Sequence, residues 1–307
     1  MKGILLMKQI GSLPFSSQEF QVSSALALNQ VINVASVTQL SPFRYPGGKT
    51  WLVPRVIKWL KSRPRITEFV EPFVGGGIVS LTVADQDLAD HVILVEKDEQ
   101  VVAVWKTIFE GETEWLVNEI LNFEISYENV VRRLQNRATS QKELAFQTIL
   151  KNRTFHGGIL APGSAPLKHG ENGKGIRSRW YPETLVKRIR RITAFASKVT
   201  VVHGDGIDVI TEFSQHKNTA FFIDPPYSAA GKRAGRRLYT HFELDHHRLF
   251  EVASRSKGDF LMTYDDNAEI RGLAGKFNFE CKLVAMKNTH HAEMKELLIG
   301  RELSWVH

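Results

Sequence analysis

The chain has a single cysteine, Cys281, in 307 residues. A lone thiol excludes an internal disulfide and fits a reducing cytosol. Long apolar runs are missing too: none approaches the roughly 20 residues that a bilayer-spanning helix needs. Metal-ligand spacing is absent. The adjacent pairs His246-His247 and His290-His291 read as solvated surface, and no metal is expected. Acids are scarce in two stretches. Residues 1–39 hold one, Glu19, and residues 151–191 hold only Glu171 and Glu183. The first stretch is no convincing secretory signal, because Leu13-Pro14-Phe15 breaks its apolar run and no clear cleavage pattern follows. It is a helical extension or a poorly ordered tail. Repeats and low-complexity segments are absent.

What is present is ordinary for a globular protein: 43% hydrophobic and 24% charged residues. The length allows a substantial core, as one domain with an insertion or as two domains. The net charge of +7 suggests a polyanion partner only weakly, but its distribution says more. Lys151 to Arg191 is strongly basic, dense in glycine and proline from Gly157 to Gly175, and carries Trp180 and Tyr181. A basic, loop-rich insertion of this kind is a plausible nucleic-acid reader, or simply a solvated basic surface.

The chain is organised around Asp224-Pro225-Pro226-Tyr227. The apolar run Ala220 to Ile223 before it reads as a buried parallel strand. Two prolines cannot continue a ladder, so the strand ends there. A carboxylate, a rigid turn and a ring are thus presented at a strand's carboxyl end, the edge where open α/β sheets bind ligands. The tetrapeptide fits an exocyclic amine on an aromatic base. Asp224 accepts one amine N–H, the Pro225 carbonyl accepts the other, and Tyr227 stacks on the base. An ordinary Asp-Pro turn is the alternative.

Three further strands end in acids. Arg65 to Val70 runs into Glu71-Pro72-Phe73-Val74-Gly75-Gly76-Gly77, followed by a helical stretch from Ile78 to Ala84. Strand, Gly-rich turn and helix is the nucleotide-binding unit of doubly wound folds. Asp90 to Val95 ends at Glu96, about 20 residues past the turn, where a ribose-binding carboxylate belongs. Lys198 to Val202 ends at His203-Gly204-Asp205. Upstream, Pro42 to Lys49 is a tight Gly-rich turn ending in a lysine, ahead of a short amphipathic helix from Thr50 to Leu60. Helices are expected at Glu112–Ile125, Glu128–Ala138, Gln141–Leu150 (capped by Ser140) and Leu244–Ser256. A further strand is expected at Asp259–Thr263, with a closing antiparallel pair at Phe277–Met286 and Glu296–Gly300. Glu71, Glu96, Asp205 and Asp224 at one sheet edge suit a ligand with a positive centre, ribose hydroxyls and an exocyclic adenine amine. S-adenosylmethionine has all three.

With Tyr45-Pro46-Gly47-Gly48-Lys49, the Glu71–Gly77 loop and Asp224–Tyr227 in this order, the sequence resembles the Dam-like (D12 class) DNA adenine-N6 methyltransferases over about residues 41 to 301. The resemblance implies a doubly wound, Rossmann-like α/β methyltransferase sheet with an inserted, mostly helical target-recognition domain. Residues 1–40 would be an extension, 41–110 and 196–307 the catalytic domain, and 111–195 the insert. It implies S-adenosylmethionine as cofactor, held by Tyr45, Gly48, Lys49, Glu71, Phe73, Gly75, Gly77, Glu96, Asp205 and Asp224. Asp224, Pro225, Pro226 and Tyr227 would be catalytic, acting on an adenine flipped out of duplex DNA. Arg153, His156, Lys168, Arg177, Arg179, Arg236 and Arg237 are the candidate DNA contacts. The family usually has Asp where Glu96 stands, and Trp is common where Tyr45 stands. Members that read GATC carry Asn where His156 stands and an Arg shortly after, whereas Ile159-Leu160-Ala161 here offers no cation. The target expected is therefore not GATC. A cytoplasmic protein of bacterial or phage origin is implied. Whether a restriction enzyme accompanies it does not follow from the sequence. An RNA base-amine methyltransferase and a DNA-binding protein without catalysis remain alternatives.

Overall fold

A computed structural model of the chain describes residues 37–45, 47–168, 173–226, 240–241, 243–287 and 293–306. Its centre is a seven-stranded sheet. The strands are β1 (Glu68–Glu71), β2 (His91–Glu96), β3 (Val199–His203), β4 (Thr219–Ile223), β5 (Asp259–Asp265), β6 (Glu280–Lys287) and β7 (Glu293–Gly300), in the order β3-β2-β1-β4-β5-β7-β6. The first five are parallel, and β7 is antiparallel to both β5 and β6. The expected closing pair is present, with β7 inserted between β5 and β6. The strand order reverses between β1 and β4. The carboxyl ends of those two strands therefore flank the crevice where doubly wound folds bind ligands.

Alternation along each strand sends its side chains to two separate cores. Phe69, Val92, Leu94, Phe222, Leu261 and Leu298 belong to one, and Val70, Ile93, Val95, Phe221, Ile223, Met262 and Ile299 to the other. Both faces are covered, which is why β4 is buried at all five positions and reads as an unbroken apolar run. The second face carries α8 (Gly206–Phe213), α9 (His246–Arg255) and α10 (Ala268–Lys276).

The first face carries α1 (Val53–Lys61), α2 (Ile78–Asp85) and α3 (Glu99–Phe109), and beyond them α4 (Thr113–Asn122), α5 (Tyr127–Gln135), α6 (Gln141–Thr154) and α7 (Pro182–Thr193). Helix α2 is buried on nearly every side, since it is sandwiched between the sheet and its neighbours. Ser140 caps α6 as expected, accepting from the Glu143 N–H. Residues 113–193 do not form a core of their own. Leu116, Val117, Ile120, Val130, Phe146 and Ile149 are continuous with Trp105 and Ile108 of α3.

Three helices go beyond the sequence reading. Helix α3 has its N-cap in Asp98, whose carboxylate accepts from the Gln100 N–H at 2.9 Å. Helix α7 occupies part of the basic stretch. Leu185, Val186, Ile189 and Ile192 face the core, while Arg190 pairs with Glu114 and Arg191 with Asp85. Some of the positive charge is thus balanced internally. Helix α10 follows β5 and is capped by Asn267.

Leu40 is 1% exposed and sits in the first core, so the folded body starts before residue 41. Among the described residues no helix is long and apolar enough to cross a membrane.

One glycine holds the crevice at its designed width. Gly206 opens α8, and a Cβ there would stand 2.4 Å from the Pro72 carbonyl oxygen. Neither partner can yield, because both are backbone. Gly206→Ala should therefore cost about 1–3 kcal/mol, the usual range for overpacking. An unchanged denaturant midpoint would show that the two segments are not held this close.

Candidate active site

A single crevice at the carboxyl edge of the sheet gathers most of the expected residues. Tyr45, Gly48, Lys49, Glu71, Phe73, Gly75, Gly77, Glu96, Asp205, Asp224, Pro225 and Pro226 all line it. Tyr227 and Arg236 and Arg237 lie outside the described residues.

The strands explain the convergence. Glu71 is the last residue of β1, Glu96 of β2, and Asp224 follows β4 directly. Antiparallel β7 reaches the same edge with its amino-terminal end, and there Glu296 pairs in register with Asp265 at the end of β5.

At the centre is Lys49, 5% exposed. Its ammonium stands 3.0 Å from Asp224 Oδ1 and 3.1 Å from Glu296 Oε1, and donates to the Gly47 carbonyl at 3.0 Å. An ammonium has three donors, so these contacts set its position. Burial works to lower the Lys49 pKa, but the Asp224 and Glu296 charges outweigh it and hold the amine above the ordinary lysine range. Asp224 Oδ1 also accepts from the Thr263 hydroxyl at 2.7 Å.

Glu71 is 4% exposed. Its carboxyl accepts from the Ser80 N–H at 3.0 Å, but burial dominates and pushes its pKa up to about 8, with Asp224 adding to the rise and Lys49 opposing it. At neutral pH it is largely a neutral acid under the crevice.

The glycine loop is held from several sides. Gly75 and Gly77 have φ of 44° and 64°, in the left-handed region that favours glycine. A Cβ on Gly75 would stand 2.5 Å from the Tyr45 ring. The Trp105 indole donates to the Gly75 carbonyl at 3.1 Å, and the Ser41 hydroxyl donates to the Gly76 carbonyl at 2.5 Å.

Glu96 is tied into that loop. Its Oε2 accepts from the Gly75 N–H at 3.0 Å, and its Oε1 accepts from the N–H groups of Lys97 and Asp98 at 2.8 and 3.0 Å. Burial raises its pKa against these three bonds. A carboxylate offers about four acceptor sites, which leaves capacity on Oε2 for one more donor. Asp205 caps α8, accepting from the Ile207 N–H at 2.9 Å, and pairs with Lys97 at 3.0 Å. Burial opposes these contacts, but the lysine and the backbone N–H prevail and lower its pKa.

The candidate DNA contacts differ in exposure. His156, Lys168 and Arg177 are exposed, and the Arg177 Nε–H donates to the Ile125 carbonyl at 3.1 Å. Arg179 is half-buried. Arg153 is 6% exposed and donates to the Pro42 carbonyl. Burial, reinforced by Arg188, Arg44 and Arg179, lowers its pKa to about 9. As placed, this guanidinium grips the segment ahead of Tyr45 rather than facing solvent.

A strand order with its switch between β1 and β4, a glycine loop after β1 and Asp-Pro-Pro after β4 occur here in one crevice. The model of the D12 class N6 adenine-specific DNA methyltransferases matches residues 45–286. The chain belongs to this family. A curated relative, the Type II methyltransferase M.MjaIII of Methanocaldococcus jannaschii, is 20% identical over 226 residues, covering 67% of this chain and 76% of that protein. Among solved structures, a methyltransferase from Geobacter sulfurreducens aligns over 95% of this chain and all of its own (100%), at 11% identity and a TM-score of 0.38. A precorrin-6y C5,15-methyltransferase from Geobacter metallireducens aligns over 84% and 91%, at 9% identity and a TM-score of 0.37. At those scores the fold assignment rests on the strand order itself.

The methyl donor of this D12 class chain is S-adenosylmethionine. The crevice fits it in chemical kind. Spare acceptor capacity at Glu96 suits a ribose hydroxyl, the glycine loop leaves backbone accessible, and Asp224 supplies a carboxylate near a positive centre.

The sequence did not mark Thr263, Glu296, Ser41 or Trp105 as site residues. Asp98 was not marked either, although an Asp directly before Glu99 and an apolar-periodic stretch is an N-cap signal that could have found it.

The raised Glu71 pKa has a measurable consequence. Its folded value lies above its ordinary value of 4.5, so the folded state binds the extra proton between about pH 4.5 and 8. Stability from this group is fully present below that window and is lost as pH rises through it. Denaturant midpoints of the cofactor-free protein should fall between pH 5.5 and 8.5, and Glu71→Gln should flatten that fall. An identical pH dependence in wild type and Glu71→Gln would refute the assignment.

Proposed function

We propose that the chain transfers a methyl group to the N6 amine of adenine at a specific site in duplex DNA. The observation that carries this reading is Asp224 with Pro225 and Pro226 at the crevice floor, beside the glycine loop and on Lys49.

An exocyclic amine on a purine is a weak nucleophile, because its lone pair is delocalised into the ring. Asp224 accepts one amine N–H and the Pro225 carbonyl accepts the other, which holds the nitrogen toward a tetrahedral geometry. Thr263 and Lys49 keep the Asp224 carboxylate in place. S-adenosylmethionine supplies an electrophilic methyl on a sulfonium centre. The chain contributes mainly position and a fixed field for the charge that develops. A paired adenine cannot reach a crevice of this kind, so it enters flipped out of the duplex, at a cost of a few kcal/mol. Tyr227 is the ring proposed to stack on it, and Glu96 and Asp205 are proposed to hold the cofactor's ribose and adenine.

Target choice falls to the exposed residues of the 111–195 insert, with His156, Lys168 and Arg177 foremost. Imidazole cannot reproduce the bidentate contacts that Arg makes with guanine or Asn with adenine. A site other than GATC is the expected target.

Labelled methyl from S-adenosylmethionine should enter N6 of adenine in duplex DNA and not in structured RNA. Asp224→Ala should abolish transfer while duplex binding persists, because phosphate contacts lie elsewhere. Sequencing of modified adenines in expressing cells gives the target. Near-normal turnover by Asp224→Ala would overturn the mechanism, and methylation confined to GATC would overturn the specificity.

A further inference from the structure

Glu296 is a buried carboxylate, 3% exposed, that no step above employs. It comes from β7, more than seventy residues after Asp224, and its Oε1 lies 3.1 Å from the Lys49 ammonium. The same ammonium lies 3.0 Å from Asp224 Oδ1. One cation thus stands between two carboxylates, one just after β4 and one within β7.

From this geometry we infer that Glu296 is a positioning residue for methyl transfer: it shares the Lys49 charge and so keeps Asp224 a strong acceptor for the target amine. This rests on the proposed role of Asp224. A carboxylate paired one-to-one with a buried ammonium has much of its charge neutralised and accepts further hydrogen bonds weakly. With a second carboxylate on the ammonium, the trio carries a net negative charge, and Asp224 retains more acceptor strength. Glu296 also gives Lys49 a second charged contact, which fixes the ammonium beside Asp224.

The other ionisable groups nearby do not duplicate this role. Glu71 is largely protonated at neutral pH, and Asp265, the register partner of Glu296, feels the Lys49 charge without forming an ion pair with it among the described residues. The remaining neighbour, Tyr264, is held neutral by burial.

The test separates charge from shape. Glu296→Gln keeps the size and an acceptor oxygen but removes the charge, while Glu296→Asp keeps the charge and shortens the arm. The inference expects Glu296→Gln to lower kcat about tenfold or more, with KM for cofactor and DNA nearly unchanged. Glu296→Asp should stay within about threefold of wild type. A role in packing alone predicts the reverse order, because Gln is the closer fit. Binding of S-adenosylhomocysteine, followed by calorimetry at a temperature below every variant's melting midpoint, should be the same for all three proteins. If Glu296→Gln keeps wild-type kcat, or Glu296→Asp is the worse of the two, the inference is wrong. A wild-type protein that methylates no adenine would instead defeat the functional reading on which it rests.

Discussion

The site depends on one buried cation. Lys49 is surrounded by Asp224, Glu296 and the Gly47 carbonyl. Burying charge is costly, and both carboxylates are tolerable here because the Lys49 ammonium stands within about 3 Å of each. The trio joins three parts of the chain: the turn before α1, the end of β4 and the start of β7. Two strands of the sheet cannot slip in register without leaving one of these charges uncompensated. The ion trio thus holds the crevice in shape and at the same time sets the electrostatic environment of Asp224.

Topology makes such a gathering possible. Parallel strands deliver their carboxyl ends to one edge, so Glu71, Glu96 and Asp224 arrive there without further design. An antiparallel strand brings its amino-terminal end to that edge instead. The insertion of β7 beside β5 is what carries Glu296 to within reach of Lys49. A sixth parallel strand in its place would have put Glu296 at the opposite edge.

This also sets what was legible in the sequence. Glu71, Glu96, Asp205 and Asp224 were readable because each follows an apolar run, and the run, the turn and the acid are local signals. Lys49 was readable as part of a Gly-rich turn. Glu296 was not, since it sits near the start of an ordinary-looking strand and becomes a site residue only through β7's position in the sheet. Thr263 was hidden for the same reason, as a polar residue midway along a buried strand. Charge counting misled in a different way. Arg153, Arg190 and Arg191 contribute to a basic stretch in the sequence, but the fold buries the first and pairs the others with acids from distant segments. Helix α7 was hidden by its arginines, although its apolar spacing at Leu185, Val186, Ile189 and Ile192 was there to be read.

The segment from Ser41 to Tyr45 links the two halves of the proposed activity. From the insert side, Arg153 of α6 donates to the Pro42 carbonyl and Arg188 of α7 to the Ser41 carbonyl at 3.0 Å. Asn152 completes the grip, accepting from the Arg44 N–H and donating to the Arg44 carbonyl, both at 2.8 Å. From the cofactor side, the Ser41 hydroxyl holds the Gly76 carbonyl, and Tyr45 lies against Gly75. Phe43 packs edge-on to Trp105 at 5.3 Å, and Trp105 in turn holds the Gly75 carbonyl. A displacement of α6 or α7 relative to the sheet therefore breaks backbone hydrogen bonds unless the glycine loop moves with it. Because residues 113–193 share one apolar core with α3, such a displacement would also open packed surface. The insert and the glycine loop are consequently one mechanical unit. A displacement of α6 or α7 is therefore passed to the glycine loop, where the methyl donor is proposed to bind.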